Sequence, residues 1–480
     1  MFVTTVVKTK LKLSEFAFFF FFSTVVTMAA MTRIPFARSF RGKVVIYLII
    51  ITCLAMQIPL LMLWTKPIDS PHRMSVFQTF SDTKITKETI VELLHNISRQ
   101  VKVPGVDCAA IFKGSKNEIA ASKHVIGNVS SPLSDLFYIN LTQDCVNFQK
   151  QRGYIMSSLT DEEDQFSIAY SMIVYKDTEM VERLLRAIYR PQNLYCIHVD
   201  QKASNSSFNA ISAIAKCFPN VLMASRRSSV YWGTFTVLEP ELTCMEDLWK
   251  YPKWKYLISL TGQEFPLRTN HELVKILTLY RGAVDVVSSV REVLRYRFRG
   301  SKDPPHGLHI VKGSVHIVVN RYATWAFKPA HTVCEKFVDF VLHHNTSKDL
   351  LAWVKTTQVP DETFFGMLNT NPQLGIQGTY KGMPEHSAAR GSFARFKNWD
   401  GTSCAGRRVR EICILTTGDL PLLGNSPMMF ANKFFLEEDR VVIGCLEEKI
   451  FNDTRDEYKG TKVFNITPYE NADFIRNKVE

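Results

Sequence analysis

The sequence predicts an α/β fold with a parallel sheet, preceded by a single membrane-spanning helix. Residues 166–200 read as strand, helix and strand in succession, the pattern of a β-α-β unit with parallel strands. The alternation of short apolar runs and helical segments continues beyond residue 209. Near the amino end, an uncharged apolar stretch has the length that a bilayer-spanning helix needs. These three observations indicate a globular α/β domain held at a membrane.

The first unit of the predicted sheet ends on an acidic residue. Ile168–Val174 and Leu194–Val199 are short apolar runs typical of buried strands. Between them, Asp177–Tyr189 has the acidic start and apolar spacing of a helix, which Pro191 ends. Asp200 follows the second strand directly, and ligands of open α/β sheets bind beyond the carboxyl ends of the strands. From its position, Asp200 either accepts hydrogen bonds from a nucleotide or caps a turn.

Further helices and strands are predicted along the chain. The helices cover residues 209–215, 240–249, 272–280 and 330–342. The strands cover residues 221–224, 255–260 and 315–319. Residues 283–312 are rich in Arg and Lys and lack clear periodicity, so we interpret them as a long functional loop.

The composition bounds the class of protein. The 480 residues suffice for a large core or two domains, and a hydrophobic fraction of 46% with 22% charged residues is typical of globular chains. The net charge of +12 is spread along the chain, without a long basic run or a nucleic-acid motif. The charge therefore indicates a basic surface or an anionic substrate and disfavours a nucleic-acid partner.

Val44–Trp64 is the predicted membrane anchor, with about 21 uncharged residues where a spanning helix needs about 20. Arg38, Arg41 and Lys43 precede it, so the positive-inside rule places the amino end in the cytoplasm and the rest in a lumen. A cleaved signal peptide is the alternative, but the length and the absence of an A-x-A-like site favour an uncleaved anchor. The Phe-rich stretch Phe16–Met31 leaves the true start of the chain open.

The predicted organisation has four parts. Residues 1–43 form a cytoplasmic tail, 44–64 a transmembrane signal-anchor, and 65–104 a polar, proline-containing stem. Residues 105–480 form the luminal domain. Seven N-x-[ST] sequons downstream of the anchor agree with a luminal, glycosylated chain: Asn96, Asn128, Asn140, Asn205, Asn345, Asn452 and Asn465.

The cysteines predict disulfides and no metal site. Ten occur, and Cys53 lies in the predicted anchor. None of the spacings is a zinc pattern, and in an oxidising lumen disulfides are the default. The remaining nine are Cys108, Cys145, Cys196, Cys217, Cys244, Cys334, Cys404, Cys413 and Cys445. Because nine is odd, at least one thiol is either free or paired between two chains, as in a homodimer.

Several motifs resemble one family. They are RLLRAIYRPQNLYCIHVD, the Tyr231-Trp232-Gly233 turn, WKYLISLTGQEFPLRTN, VPDETFF, VREICILTTGDL and FANKF. In order and spacing, the sequence is similar to the core-2/I-branching β-1,6-N-acetylglucosaminyltransferases, glycosyltransferase family 14. The resemblance covers about residues 105–450.

The resemblance implies a single-pass type II enzyme of the Golgi membrane whose luminal catalytic domain, residues 105–480, has a GT-A-like Rossmann-type fold for a nucleotide sugar. Such enzymes move a sugar from a UDP-sugar to a hydroxyl and invert the anomeric centre. The resemblance also implies four disulfides, namely Cys108–Cys445, Cys145–Cys217, Cys196–Cys244 and Cys404–Cys413. Cys334 is then the leftover luminal thiol, which we interpret as a buried core residue.

Glu362 is the candidate catalytic base. Inverting transfer is one displacement, in which a base removes the proton of the attacking hydroxyl while UDP leaves. Glu362 stands in Pro360-Asp361-Glu362 and matches the family's catalytic Glu. Without the resemblance, the two acids are better interpreted as helix-start residues favoured by the helix dipole.

The sequence lacks the Asp-x-Asp motif with which many UDP-sugar enzymes hold a metal. At the end of the second strand it reads His198-Val199-Asp200, with a single carboxylate. We therefore expect a reaction without a divalent metal or other cofactor, in which basic side chains hold the diphosphate. Arg410 and Lys433 match the family's diphosphate-binding pair.

The remaining site residues follow from the resemblance. Ile173 and Asp200 match positions that contact uridine and ribose, and Trp232 falls where close relatives have a Tyr. Trp399 matches an aromatic residue on the acceptor side. Arg295 is the candidate acceptor contact from a basic group that aligns only loosely, Arg291, Arg295, Arg297 and Arg299.

The sequence therefore predicts a β-1,6-branching enzyme that transfers N-acetylglucosamine from UDP-N-acetylglucosamine to a mucin-type O-glycan. Two departures from the family affect the acceptor. Residues 283–287 replace an acceptor-binding Glu segment, and Gly401 stands where relatives have a Tyr. A UDP-glucose- or UDP-xylose-using transferase and a non-catalytic luminal glycan-binding protein are the alternatives.

Overall fold

The computed structural model describes residues 86–126, 132–290, 294–321, 336–382, 392–399 and 403–480. The predicted tail, the membrane anchor and the first part of the stem lie outside these ranges, as do Cys334 and Asn128. Within the described ranges, no helix combines the length and the apolar character needed to cross a membrane.

A five-stranded sheet organises the domain, in the order β3-β2-β1-β4-β8. Its strands are β1 (Ser167–Val174), β2 (Leu194–Val199), β3 (Val221–Met223), β4 (Trp254–Thr261) and β8 (Val318–Asn320). The first four run parallel and β8 is antiparallel to β4. The strand order reverses between β1 and β4, which is where open α/β sheets bind ligands. The mixed α/β architecture with a mostly parallel sheet is confirmed.

Smaller strands complete the fold. β12 (Phe430–Asn432) lies between β5 (Glu264–Pro266) and β9 (Arg395–Lys397) in a three-stranded sheet. The two-stranded pairs are β6 with β7 and β10 with β11, and they comprise Ser288–Ser289, Lys312–Gly313, Arg408–Val409 and Ile412–Cys413. The α-helices, numbered α1 to α17 in chain order, are Lys87–Gln100, Cys108–Phe112, Lys116–Ile126, Asp135–Leu141, Cys145–Arg152, Asp161–Asp164, Thr178–Ile188, Asn205–Lys216, Glu239–Trp249, Asn270–Tyr280, Phe337–His343, Asn345–Val354, Phe364–Asn369, Leu420–Gly424, Arg440–Lys459, Thr467–Glu470 and Asp473–Arg476.

The predicted β-α-β unit is confirmed. Nearly every side chain of β1 and β2 is buried, because helices cover both faces of a parallel sheet. Asp177 caps helix α7 (Thr178–Ile188), since its carboxylate accepts a hydrogen bond of 3.1 Å from the N–H of Met180. Asp200 follows β2 directly, as expected.

Three predicted elements differ from the observed ones. The helix expected at 209–215 begins four residues earlier, at Asn205. The strand expected at 315–319 begins at Val318, because the Ser259 hydroxyl accepts the N–H of Ile317 at 2.9 Å and takes the place of a backbone partner. The helix expected at 330–342 is seen from Phe337, and its first predicted residues lie outside the described ranges.

Helix α1 (Lys87–Gln100) lies within the range assigned to the stem. Its apolar side chains Ile90, Leu94 and Ile97 are buried, and the helix packs against α15 (Arg440–Lys459). The hydrophobic effect thus joins this segment to the domain, whose compact unit includes α1.

The described ranges contain four disulfides, and these join the pairs that the resemblance implies: Cys108–Cys445, Cys145–Cys217, Cys196–Cys244 and Cys404–Cys413. The predicted pairing is confirmed. Of the described sequon asparagines, five are exposed and Asn452 is half-buried.

Candidate active site

Open α/β sheets bind ligands beyond the carboxyl ends of the strands where the strand order reverses, which here are β1 and β4. Ile173, near the end of β1, pairs with His198 of β2 and Thr261 of β4. Beside it, the buried Asp200 accepts hydrogen bonds from the N–H groups of Lys202 at 2.8 Å and Val230 at 3.3 Å. Through these hydrogen bonds, Asp200 stabilises the loop that precedes the Tyr231-Trp232-Gly233 turn. Its nucleotide contact, like that of Ile173, stays a prediction.

Two aromatic rings of this turn face solvent. The side chain of Trp232 is 70% exposed and Tyr231 is also exposed. The ammonium of Lys202 lies 4.3 Å from the centroid of the Tyr231 ring, and the guanidinium carbon of Arg410 lies 5.5 Å from that of Trp232. Exposed flat rings flanked by cations are suited to stack on a base and to attract an anion.

Arg410 occupies the tip of the hairpin formed by β10 and β11. Arg410 and Glu411 have φ values of 51° and 67°, the left-handed conformation that a two-residue type I′ turn requires at both central positions. Neither residue is a glycine, so the turn is strained, and such strain is common at functional sites. The Cys404–Cys413 disulfide closes the segment that carries this turn.

Lys433 is the second cation of the site. It follows β12 directly, and its carbonyl accepts a hydrogen bond of 2.9 Å from the N–H of Leu415. Burial and the nearby Arg410 lower the pKa of the Lys433 ammonium. Within the described part of the chain, no carboxylate forms an ion pair with either cation. Two like charges held together without a counter-ion are suited to bind a diphosphate.

Glu362 ends the short 3-10 turn Pro360–Glu362. Its side chain is 31% exposed, and Oε2 lies 2.7 Å from Nη1 of Arg297. Val359, the residue before this turn, has a φ of 53°, and its N–H donates a hydrogen bond of 2.9 Å to the carbonyl of Gly233. The turn that carries the candidate base is therefore fastened to the turn that carries Trp232.

A second carboxylate stands beside the candidate base. Burial and the charge of Glu362 raise the pKa of Asp361 to about 6. Its Oδ1 atom is buried, and among the described residues it has no hydrogen-bond partner. A desolvated carboxylate next to an ion-paired one is typical of sites that handle protons.

The basic residue that contacts Glu362 is Arg297. The contact of Arg295 with an acceptor, expected from sequence, stays a prediction. Arg295 is exposed on the 3-10 turn Arg295–Phe298. The sequence places three arginines, at 295, 297 and 299, near the candidate site. Which of them points toward Glu362 depends on side-chain direction in a 3-10 turn, and loose spacing alone does not determine that direction.

Trp399 lies next to the Arg410 hairpin. Its backbone forms a bridge with Ile412 of β11, and its side chain is 47% exposed. The predicted acceptor-side ring is thus brought to the same cluster of loops as Arg410. Its contact with an acceptor stays a prediction.

Across the described ranges, no cluster of three or more His, Cys, Asp or Glu side chains is arranged to hold a metal ion.

Comparison with known proteins identifies the family. Residues 168–423 match the model of the Core-2/I-Branching enzyme family. The chain is 32% identical over 389 residues to the rat beta-1,3-galactosyl-O-glycosyl-glycoprotein beta-1,6-N-acetylglucosaminyltransferase 3, covering 74% of this chain and 85% of that protein. The chain is also 35% identical over 376 residues to the beta-1,3-galactosyl-O-glycosyl-glycoprotein beta-1,6-N-acetylglucosaminyltransferase 4 of zebrafish (Danio rerio). This match covers 72% of this chain and 84% of that protein.

Another relative is viral. The enzyme of the same name from Bovine herpesvirus 4 (strain LVR140) is 33% identical over 390 residues, covering 74% of this chain and 84% of that protein. The similarity therefore extends over most of each relative and includes the sheet, the Glu362 turn and the Arg410 hairpin. The chain belongs to the Core-2/I-branching enzyme family.

Proposed function

We propose that this protein transfers N-acetylglucosamine from UDP-N-acetylglucosamine in β-1,6 linkage to a mucin-type O-glycan core. The names of its relatives support the transferred sugar, the β-1,6 linkage and this class of acceptor. The observation that carries the proposal is the connection of the two halves of the site. Glu362 is linked to the Trp232 turn by the Val359–Gly233 hydrogen bond, and Trp232 contacts Arg410.

The donor half of the site is electropositive. Arg410 and Lys433 receive the diphosphate, and the rings of Trp232 and Tyr231 form a surface on which the donor packs. Asp200 and Ile173 lie at the sheet end where uridine and ribose are expected. As UDP leaves, it gains negative charge, and two positioned cations stabilise that charge in the transition state.

The acceptor half supplies the base. The C6 hydroxyl oxygen of the acceptor sugar attacks the anomeric carbon, while the bond from that carbon to the diphosphate oxygen breaks and its electron pair leaves with UDP. Glu362 takes the hydroxyl proton. Attack from the face opposite to UDP inverts the anomeric centre, as in other single displacements at sugars. Arg297 holds the Glu362 carboxylate in place before the acceptor arrives.

Metal independence is part of the proposal. The charges of Arg410 and Lys433 do the work that a divalent cation does in enzymes with an Asp-x-Asp motif. The sequence supports this mechanism through the single carboxylate of His198-Val199-Asp200.

A Golgi membrane location is also proposed. The uncharged stretch 44–64 and its basic flank support a type II signal-anchor, and the sequons and disulfides support a luminal domain. The acceptor in that compartment is a glycoprotein.

A donor screen tests the proposal. The purified luminal domain is incubated with UDP-N-acetylglucosamine, UDP-glucose or UDP-xylose and a galactosyl-N-acetylgalactosamine acceptor, and product linkage is determined by NMR. The proposal expects a β-1,6-linked N-acetylglucosamine. Preferred transfer of glucose or xylose would contradict the donor assignment. Absence of any transfer, with glycan binding retained, would favour a non-catalytic binding protein.

A further inference from the structure

A lysine that the sequence motifs did not single out lies beside the predicted acceptor ring, Trp399. Lys397 ends β9 and pairs with Asn432 of β12, the residue before Lys433. It also precedes Trp399 by two residues, and its ammonium lies 5.6 Å from the centroid of the Trp399 ring. The side chain of Lys397 is thus close to the predicted acceptor ring.

The charged groups around this ammonium come from four elements. On β9 and β5 they are Arg395 and Glu264, and the 3-10 turn Pro360–Glu362 adds Asp361 and Glu362. His316, which precedes β8, also faces it. The ammonium is therefore close enough to the candidate base to interact with it electrostatically.

Two of the neighbouring carboxylates, Glu264 and Glu362, are engaged elsewhere, whereas Oδ1 of Asp361 has no hydrogen-bond partner within the described ranges. Glu264 accepts a 2.6 Å hydrogen bond from Nε of Arg395, and Glu362 is paired with Arg297. Within the described ranges, Lys397 makes no hydrogen bond or ion pair through its ammonium. An ammonium has three donors, and those of the half-buried Lys397 remain available to the hydroxyl oxygens of a bound sugar.

We propose that Lys397 donates a hydrogen bond to a hydroxyl oxygen of the acceptor sugar that packs on Trp399, and thereby orients the attacking hydroxyl toward Glu362. The inference rests on the proposed function and adds an acceptor-binding residue to it. Sugar rings that pack on an aromatic face present their hydroxyls at the ring edge, where a neighbouring cation reaches them. Lys397 therefore selects and positions the acceptor and does not take part in proton transfer.

Burial gives this contact a pH dependence. Desolvation lowers the pKa of Lys397 to about 8, against a partial opposing effect of the nearby carboxylates. Below pH 8 the ammonium is charged and forms a strong hydrogen bond. Above pH 8 it loses its proton, so we expect the acceptor KM of the wild-type enzyme to rise there. An arginine at the same position stays charged and removes this rise.

The test compares Lys397→Met and Lys397→Arg with a matched control, Lys255→Met. Lys255 is also a lysine over an aromatic ring, 4.7 Å from the centroid of Phe166, but it stands at the amino end of β4, away from the site. We expect Lys397→Met to raise the acceptor KM about 10- to 100-fold, the range for losing a hydrogen bond from a charged group. The donor KM and the melting temperature should change little, and Lys255→Met should match the wild type.

Each alternative outcome is distinct. A raised donor KM with an unchanged acceptor KM would overturn the inference and assign the ammonium to the diphosphate. If the donor KM and the acceptor KM were both unchanged, the inference would be overturned and Lys397 would have a structural role only. Should Lys397→Met fail to fold, a wild-type acceptor KM that is flat between pH 7 and pH 9 would still contradict the inference. If the wild-type protein transfers no sugar at all, the proposed function itself fails, and this inference with it.

Discussion

The backbone N–H of Val359 donates a 2.9 Å hydrogen bond to the carbonyl of Gly233. Val359 precedes the turn that bears Glu362, and Gly233 follows Trp232. Val359 also adopts a φ of 53°, which is costly for a β-branched residue. The fold therefore sustains local strain where it joins the candidate base to the ring that contacts Arg410.

Replacing Trp232 with Ala should weaken donor binding. The change removes the ring beside Arg410, and a cation–π contact at an exposed site contributes about 0.5–1 kcal/mol. We expect the donor KM to rise about 3- to 10-fold, since the loss of stacking area adds to that contact. Trp232→Tyr should recover most of the affinity, because close relatives are expected to carry a Tyr there. An unchanged affinity for UDP in Trp232→Ala, measured by calorimetry, would contradict this role.

Replacing Arg410 or Lys433 with Met should lower kcat/KM for the donor about 10²- to 10³-fold, the range for removing one group that stabilises transition-state charge. Because both cations are expected to act on one diphosphate, the double variant should lose less than the product of the single losses. Arg407→Met is the matched control, since Arg407 is exposed and paired with Glu438 at 2.7 Å. Wild-type rates in both site variants would refute the assignment.

Two disulfides should contribute differently. Replacing Cys404 and Cys413 by Ala releases the segment that carries Arg410, so we expect a raised donor KM. The cost in stability should be about 2–3 kcal/mol, because the loop is short. Replacing Cys108 and Cys445, which are 337 residues apart, should cost more stability and leave the donor KM unchanged. Chemical denaturation and donor kinetics on both variants check this, and equal kinetic effects would contradict it.

Glu241 should make stability depend on pH. Burial raises its pKa from 4.5 to about 7, and its carboxylate accepts a 2.5 Å hydrogen bond from the Ser171 hydroxyl. The folded state therefore favours the protonated form, and this contribution to stability is lost as pH rises from about 4.5 through 7. Glu241→Gln keeps an acceptor for Ser171 and carries no charge. In urea unfolding we expect the variant to exceed the wild type by about 2–3 kcal/mol at pH 8 and by little at pH 4.5. If the variant and the wild type had equal stability at both pH values, the raised pKa of Glu241 in the folded state would be contradicted.

The central elements of the fold were predictable from sequence, for local reasons. β1 and β2 are continuous apolar runs because both faces of a parallel sheet are covered, and α7 carries its own cap in Asp177. The disulfide pairs, by contrast, followed only from the family resemblance, since the spacing of nine cysteines leaves many pairings open.

The features that escaped prediction depend on long-range contacts. Helix α1 has a polar sequence overall, and only its packing on α15 joins it to the domain. Arg297 and Lys397 reach the Glu362 turn from segments 65 and 35 residues away in sequence, and no local pattern encodes those approaches. The contacts of individual residues in the candidate site were therefore less predictable from sequence than the positions of the sheet strands.

The most direct test of the account is the rate of sugar transfer by Glu362→Gln and by the wild type, both assayed in excess EDTA with UDP-N-acetylglucosamine and a saturating O-glycan acceptor. The amide has the shape of the carboxylate but cannot take the proton, so we expect kcat to fall about 10²- to 10⁴-fold while UDP binding is retained. The wild type should keep its full rate in EDTA, since Arg410 and Lys433 carry the charge of the leaving group. Undiminished transfer by Glu362→Gln, or loss of wild-type activity in the chelator, would contradict the account.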